Sequence, residues 1–324
     1  MMNREQLLDS LDQLDDALLL EADRARQQRP CRRLPRGLTA AACVMLVLLA
    51  TLTVEARSGA VSSLLAPLFG GTRTEIVDHI GSPIGASVSA DGYTITADAI
   101  IGDRYNLAVV YTLTRDDGQP LPENLRFQEW ETRYKFLGFF GIGSGGGSLT
   151  GIKNEEDPSQ CQIIEQWSGD VPLLGRMCRT TFGKLVQWHE DGTETLLAEG
   201  PWTLSYTASY TDATETIRLP ETVVQNEYGV NLEIEKLRLS PVGLYMDLNF
   251  LTVLDDTPKM LDVPVSIIGA DGTETQLSGN CGANYTEGDT TANGHYTAMF
   301  PVPQFREEIA GLRICDTVFW LPES

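Results

Sequence analysis

A chain of 324 residues with 42% hydrophobic residues holds enough apolar material for a conventional packed core, which excludes a wholly disordered protein. Lys plus Arg number 24 against 45 Asp plus Glu, and the resulting charge of −21 opposes nucleic acid and anionic headgroups and excludes a general nucleic-acid binder. The charge is unevenly spread: residues 1–37 hold seven arginines and seven acids, so the whole acidic surplus lies beyond Gly37.

The first element in chain order is an amphipathic helix. Leu7, Leu11, Leu14 and Leu18 recur at helical spacing, Leu8 and Ala17 widen the stripe, and Asp or Glu fill much of the other face. Acids lead, arginines follow, and Pro30 and Pro35 end the pattern. So short a helix buries a leucine stripe only against a partner, a second copy or a membrane surface, and its acidic face opposes the last; the alternative is a solvated tail. Leu7, Leu11, Leu14 and Leu18 are therefore the candidate partner-binding residues.

Arg24, Arg26, Arg29, Arg32, Arg33 and Arg36 precede the most apolar run of the chain, Leu38 to Val54, which is 17 residues without a charge. That is the lower edge of a bilayer-crossing helix. The basic cluster keeps the amino terminus cytoplasmic, giving one transmembrane helix at 38–54 and an extracytoplasmic remainder. A cleaved signal peptide ending near Val54-Glu55-Ala56 is the competing reading, opposed by the length of the preceding segment; a lipid anchor at Cys43 is rejected because the apolar run follows that cysteine.

Residues 55–75, rich in Gly, Ser and Ala, read as a stalk. From Ile76 the texture is that of strands: alternating runs such as Tyr93–Ala97, Leu107–Tyr111 and Leu204–Ala208, punctuated by Asp-Gly at 91–92, 117–118, 191–192 and 271–272. The one helical hint is a turn or two at Gln304–Ala310. The expected fold is mostly β, two tandem immunoglobulin-like β-sandwich domains at 76–219 and 220–324. Residues 93–114 and 230–251 superpose without gaps at an offset of 137, each as strand, polar pivot and strand, with pivots at Gly102-Asp103-Arg104 and Ser240-Pro241.

Three segments, LLDSLDQLDDALLLEADRA, RRLPRGLTAAACVMLVLLA and IGASVSADGYTITADAIIGDRYNLAVVYTLT, together resemble the Gram-positive single-pass membrane proteins that carry domain of unknown function 4179. The resemblance covers residues 3–115, and the second outer module is similar to the immunoglobulin-like domain that often follows. It implies an envelope protein of the kind labelled anti-sigma-factor-like, whose cytoplasmic partner would be a sigma factor. The inner segment here lacks the His and paired-Cys zinc motif of the best-understood anti-sigma proteins. No catalytic residues come with the resemblance.

Four of the six cysteines, Cys161, Cys178, Cys281 and Cys315, fall in the outer region. The modular reading favours Cys161–Cys178 and Cys281–Cys315 disulfides, with four free thiols as the alternative. The histidines at 79, 189 and 295 are isolated from cysteines and from one another, which opposes a zinc site, and His189 reads as a strand end before a turn. Gly141–Ser148 contains a formal GxGxxG without a strand-then-helix context and reads as a loop. The acids at 155–157 and 255–256 lack calcium-loop spacing. With no GxSxG, HExxH or lysine-bearing phosphate loop, neither an enzyme nor a cofactor is expected. The expectation is a membrane-anchored sensor or regulator with an unidentified envelope ligand; the alternative is an adhesion or scaffolding protein.

Overall fold

The computed structural model describes residues 61–322 apart from 70, 137–138, 142–144, 155, 170–171, 221–222 and 287. The leucine stripe and the apolar segment 38–54 lie outside the described residues; among those described, no helix is long and apolar enough to cross a membrane.

The chain enters through three short helices, α1 (Val61–Leu64), α2 (Ala66–Phe69) and α3 (Thr74–Ile80). This corrects the stalk reading over these residues. Val61, Leu65 and Phe69, then Ile76, Val77 and Ile80, keep a helical step beneath the Gly- and Ser-rich composition. Leu65, Phe69, Ile76, Val77 and Ile80 are buried against Ala99, Ile101, Ala108, Val110 and Ile164 of the first sheet. The Asp78 carboxylate ties α1 to α3 by accepting from the Ser62 backbone N–H (2.6 Å) and hydroxyl (3.1 Å).

The first module continues with β1 (Ser82–Ala90), β2 (Tyr93–Gly102), β3 (Asn106–Arg115), β4 (Leu125–Phe127), β5 (Trp130–Phe136), β6 (Phe139–Gly141), β7 (Gly145–Lys153), β8 (Gln160–Gly169), β9 (Met177–Phe182), β10 (Leu185–Trp188), β11 (Glu194–Ala198) and β12 (Trp202–Thr207). One antiparallel sheet runs β1-β2-β3-β8-β7; opposite it lie β12-β9-β5-β6 and the smaller β11-β10-β4. The Ala90–Tyr93 connection is a two-residue hairpin in which Asp91 (φ 51°) and Gly92 (φ 78°) are both left-handed. That geometry is the reason the sequence carries Asp-Gly there. A register shift between Ala97 and Ala99 sends Tyr93, Ile95, Ala97 and Ile100 into the sandwich core while Ala99 and Ile101 meet the helices, so this apolar strand is buried on both faces. Residues 145–148, expected in a loop, belong to β7 and pair with Ser168–Gly169 and their neighbours on β8.

The second module comprises β13 (Glu215–Ile217), β14 (Val223–Gln225), β15 (Asn231–Ser240), β16 (Gly243–Phe250), the one-turn α4 (Thr257–Met260), β17 (Val265–Gly269), β18 (Glu274–Gln276), β19 (Gly279–Asn284), β20 (Ala292–Met299), β21 (Ile309–Ile314) and β22 (Thr317–Trp320). Its sheets run β13-β15-β16-β20-β19, with β14 also on β15, and β18-β17-β21-β22. Leu237, Leu239 and Met246 from the first pack against Val265, Leu312 and Phe319 from the second. Because β13 already pairs with β15, the chain enters this module a few residues before the expected boundary at Leu219-Pro220. A single 3₁₀ turn at Arg306–Glu308 occupies the expected helical spot. The chain is thus mostly β, in antiparallel sheets packed face to face.

Candidate functional site

The repeated strand pairs are the hairpins β2–β3 and β15–β16, and their pivots touch. Ser240 Oγ donates to Asp103 Oδ2 at 2.6 Å across the 137-residue offset, so equivalent positions of the two copies bond each other. Asp103 Oδ1 also accepts the backbone N–H groups of Tyr105 and Asn106, both at 2.8 Å, and the Asn106 side-chain amide at 3.1 Å. Ser240 Oγ in turn accepts from the N–H groups of Val242 (3.1 Å) and Gly243 (3.0 Å). Burial pushes the Asp103 carboxyl upward and these hydrogen bonds oppose the shift. Gly243 is required at the contact: a Cβ there would stand 2.5 Å from the Ala298 carbonyl oxygen and 2.8 Å from Asn106 Nδ2.

Beside this buried knot, the Tyr105 and Tyr245 rings stack at 3.8 Å between centroids, and the Arg238 guanidinium lies 5.2 Å from each. Val242 of the second module is fully buried among the residues beneath α1–α3. Tyr210, part of the first core, braces the Asp103 bend by donating to its carbonyl at 2.8 Å. Polar pairing, aromatic stacking and apolar burial therefore join the two modules continuously.

A cleft of about 500 Å³ opens along this seam, a size that suits a small ligand or a short stretch of polymer. One wall carries Ser148 of β7 and Gln166 of β8, cross-strand partners in register; the other carries Asn280 of β19 and Thr297 of β20, also partners in register. Each wall thus presents one hydroxyl beside one carboxamide. Ser168, Gln276 and Ser278 extend the polar lining, and Met299, Phe300 and Pro301 close it. β7 and β19 are the outermost strands of their sheets, so the cleft lies between two sheet edges.

A second polar cluster lies in the first core. Glu165 points inward from β8 and is 1% exposed; Tyr111 donates to its Oε2 at 2.6 Å and also bonds the Tyr206 hydroxyl at 2.7 Å. Among the described residues, Glu165 Oε1, the Tyr134 hydroxyl and Trp130 Nε1 have no hydrogen-bond partner. Burial raises the Glu165 pKa, so in the window above the ordinary carboxyl value the folded protein keeps a proton that the unfolded chain has lost. Stability conferred by this residue accordingly falls as pH rises through that window. We expect Glu165→Gln to remove this slope, so that its stability relative to the parent improves between pH 5 and pH 8 in parallel urea titrations; a constant difference would refute the assignment.

Leu7, Leu11, Leu14 and Leu18 lie outside the described residues. Cys161, Cys178, Cys281 and Cys315 are free thiols in this structure. Each thiol is held in apolar packing, Cys161 and Cys178 beside the first core and Cys281 and Cys315 beside the second. Burial pushes Cys161 and Cys315 up to about 11 and Cys178 and Cys281 up to about 12. Alkylation by iodoacetamide at pH 8 should therefore run roughly a hundredfold slower in the folded protein than in urea, as read by mass spectrometry.

His189 follows β10, where its N–H donates to the Thr193 carbonyl (2.9 Å) and Nε2 meets the Thr195 hydroxyl (2.8 Å), as a turn residue would. Among the described residues, no group of three His, Cys, Asp or Glu side chains could hold a metal ion. Sequence reasoning noted the pivots but missed their contact, and it missed Glu165, whose acid at an inward position of the alternating run 160–169 was the available signal.

No protein-family model matches the chain, and no curated protein matches it. Among solved structures it is similar to a conserved domain protein from Bacillus anthracis, at a TM-score of 0.50 and 17% identity, over 72% of this chain and 76% of that one. At that identity the likeness is one of fold.

Proposed function

We propose that the chain is a membrane-anchored sensor or regulator of the cell envelope, whose two β modules form one extracytoplasmic binding body with the seam cleft as its ligand site. In this reading residues 38–54 cross the bilayer once, residues 1–37 face the cytoplasm, and Leu7, Leu11, Leu14 and Leu18 hold a cytoplasmic partner such as a sigma factor. The resemblance to the membrane proteins carrying domain of unknown function 4179, with an immunoglobulin-like second module, supports the same arrangement.

The observation that carries the proposal is the buried Asp103–Ser240 knot. It joins two sandwiches into one body, so the cleft between them is preformed and binding does not first have to order two loosely linked domains. Modules joined only as spacers have no need of a buried carboxylate at their contact.

The test is made in cells with tags at both ends. Surface protease should remove the carboxy-terminal tag and spare the amino-terminal one. Deleting residues 3–28 should abolish a transcriptional response while surface display persists. Display and response both unchanged by the deletion would favour the adhesion or scaffolding reading.

A further inference from the structure

We propose that the seam cleft takes a neutral saccharide bearing acetamido groups, an N-acetylated amino-sugar strand; this rests on the reading of the cleft as the ligand site. None of the twelve residues lining the cleft is charged, in a chain whose net charge is −21. A polyanion finds no cation there and a cationic ligand no carboxylate, so the groups that bind are uncharged.

The lining also has hydrogen-bonding capacity to spare. Among the described residues, Ser148, Gln276, Ser278, Asn280 and Thr297 have no side-chain hydrogen bond to the protein. Thr297 is 2% exposed overall and lines the cleft. Asn280 stands directly across from Thr297 in the register, and side chains so paired share one face of a sheet about 5 Å apart. Ser148 and Gln166 repeat the combination on the facing wall.

Hydroxyls and carboxamides each donate and accept. Their matching counterparts are groups that do the same, the hydroxyl and acetamido substituents of a sugar ring, while Met299 and Pro301 offer apolar surface to its C–H bonds. An uncharged extended peptide is the rival occupant, and the test separates the two.

The purified full chain in detergent is titrated calorimetrically with an N-acetylglucosamine tetramer, its fully deacetylated tetramer and an uncharged glycine-alanine peptide. Saturable binding of the first is expected, weakened about tenfold or more by deacetylation. Asn280→Ala, at an exposed position, and Thr297→Val, which keeps the side-chain shape, should each weaken binding about fivefold or more with the melting temperature retained. Absence of saturable binding, or equal binding by both variants, overturns the proposal. Binding of the peptide but not the sugar overturns the saccharide assignment and leaves the cleft reading standing. The cleft reading itself falls if Ser278→Trp, which fills the cleft, leaves retention on isolated cell envelopes unchanged.

Discussion

Replacing Asp103 with alanine should cost roughly 3–5 kcal/mol, because the backbone N–H groups of Tyr105 and Asn106 and the Ser240 hydroxyl all lose their acceptor in a site closed to water. For a body of this size that is a fall of about 10 °C in melting temperature. Asp103→Asn keeps one carbonyl oxygen in place and should lose less than half as much. The two variants differ in a second respect: once the knot is gone the sandwiches have separate cores and no buried polar tie, so the alanine variant should unfold in two steps where the parent unfolds in one. Differential scanning calorimetry reads both effects. An alanine variant that melts within a degree of the parent would mean that the stacked Tyr105 and Tyr245 rings and buried Val242 hold the seam unaided.

Trp202→Ala should be comparably damaging. Trp202 on β12 is fully buried, and its indole N–H donates to the Tyr93 carbonyl of β2 at 2.9 Å, a bond that crosses from one sheet to the other. Its ring meets Phe127 edge-on at 5.9 Å, and Phe127 packs on Phe182 at 4.9 Å. Truncation removes about 3–5 kcal/mol of packing and leaves the Tyr93 carbonyl without that donor. Trp202→Phe, which fills most of the volume and lacks the N–H, should fall between the two. Because the parent unfolds in one step, hydrogen exchange should show protection falling in β15, β16 and β20 as well as in β1–β12. Loss confined to β1–β12 would show that the modules open independently.

The hairpins were legible because two local signals agree at each: alternation through residues 93–97 and 107–111, and Asp-Gly where the backbone turns left-handed. The internal offset of 137 was legible as pattern, and it marks a real equivalence, since residues 103 and 240 occupy matching bends. Residues 61–75 misled because their apolar positions are spaced by Gly, Ser and Pro, so composition outweighed periodicity. The cleft could not be read at all. Its two walls come from residues about 130 positions apart, such as Ser148 and Asn280, and what distinguishes it, the lack of charge, exists only once those strands stand side by side.

The interlocked bends also govern how the molecule can be divided. Val242, fully enclosed, reaches into the apolar layer formed by Ala108, Val110 and Ile164, and Gly243 admits Asn106 at a distance no side chain would allow. A fragment ending at Leu219 would expose that layer to solvent, and a fragment beginning at Pro220 would carry Ser240 with no acid to receive it. Neither half is a finished surface. Cutting there would yield sticky, self-associating pieces, and a swap of either half for an unrelated sandwich would need its neighbour's bend rebuilt to match.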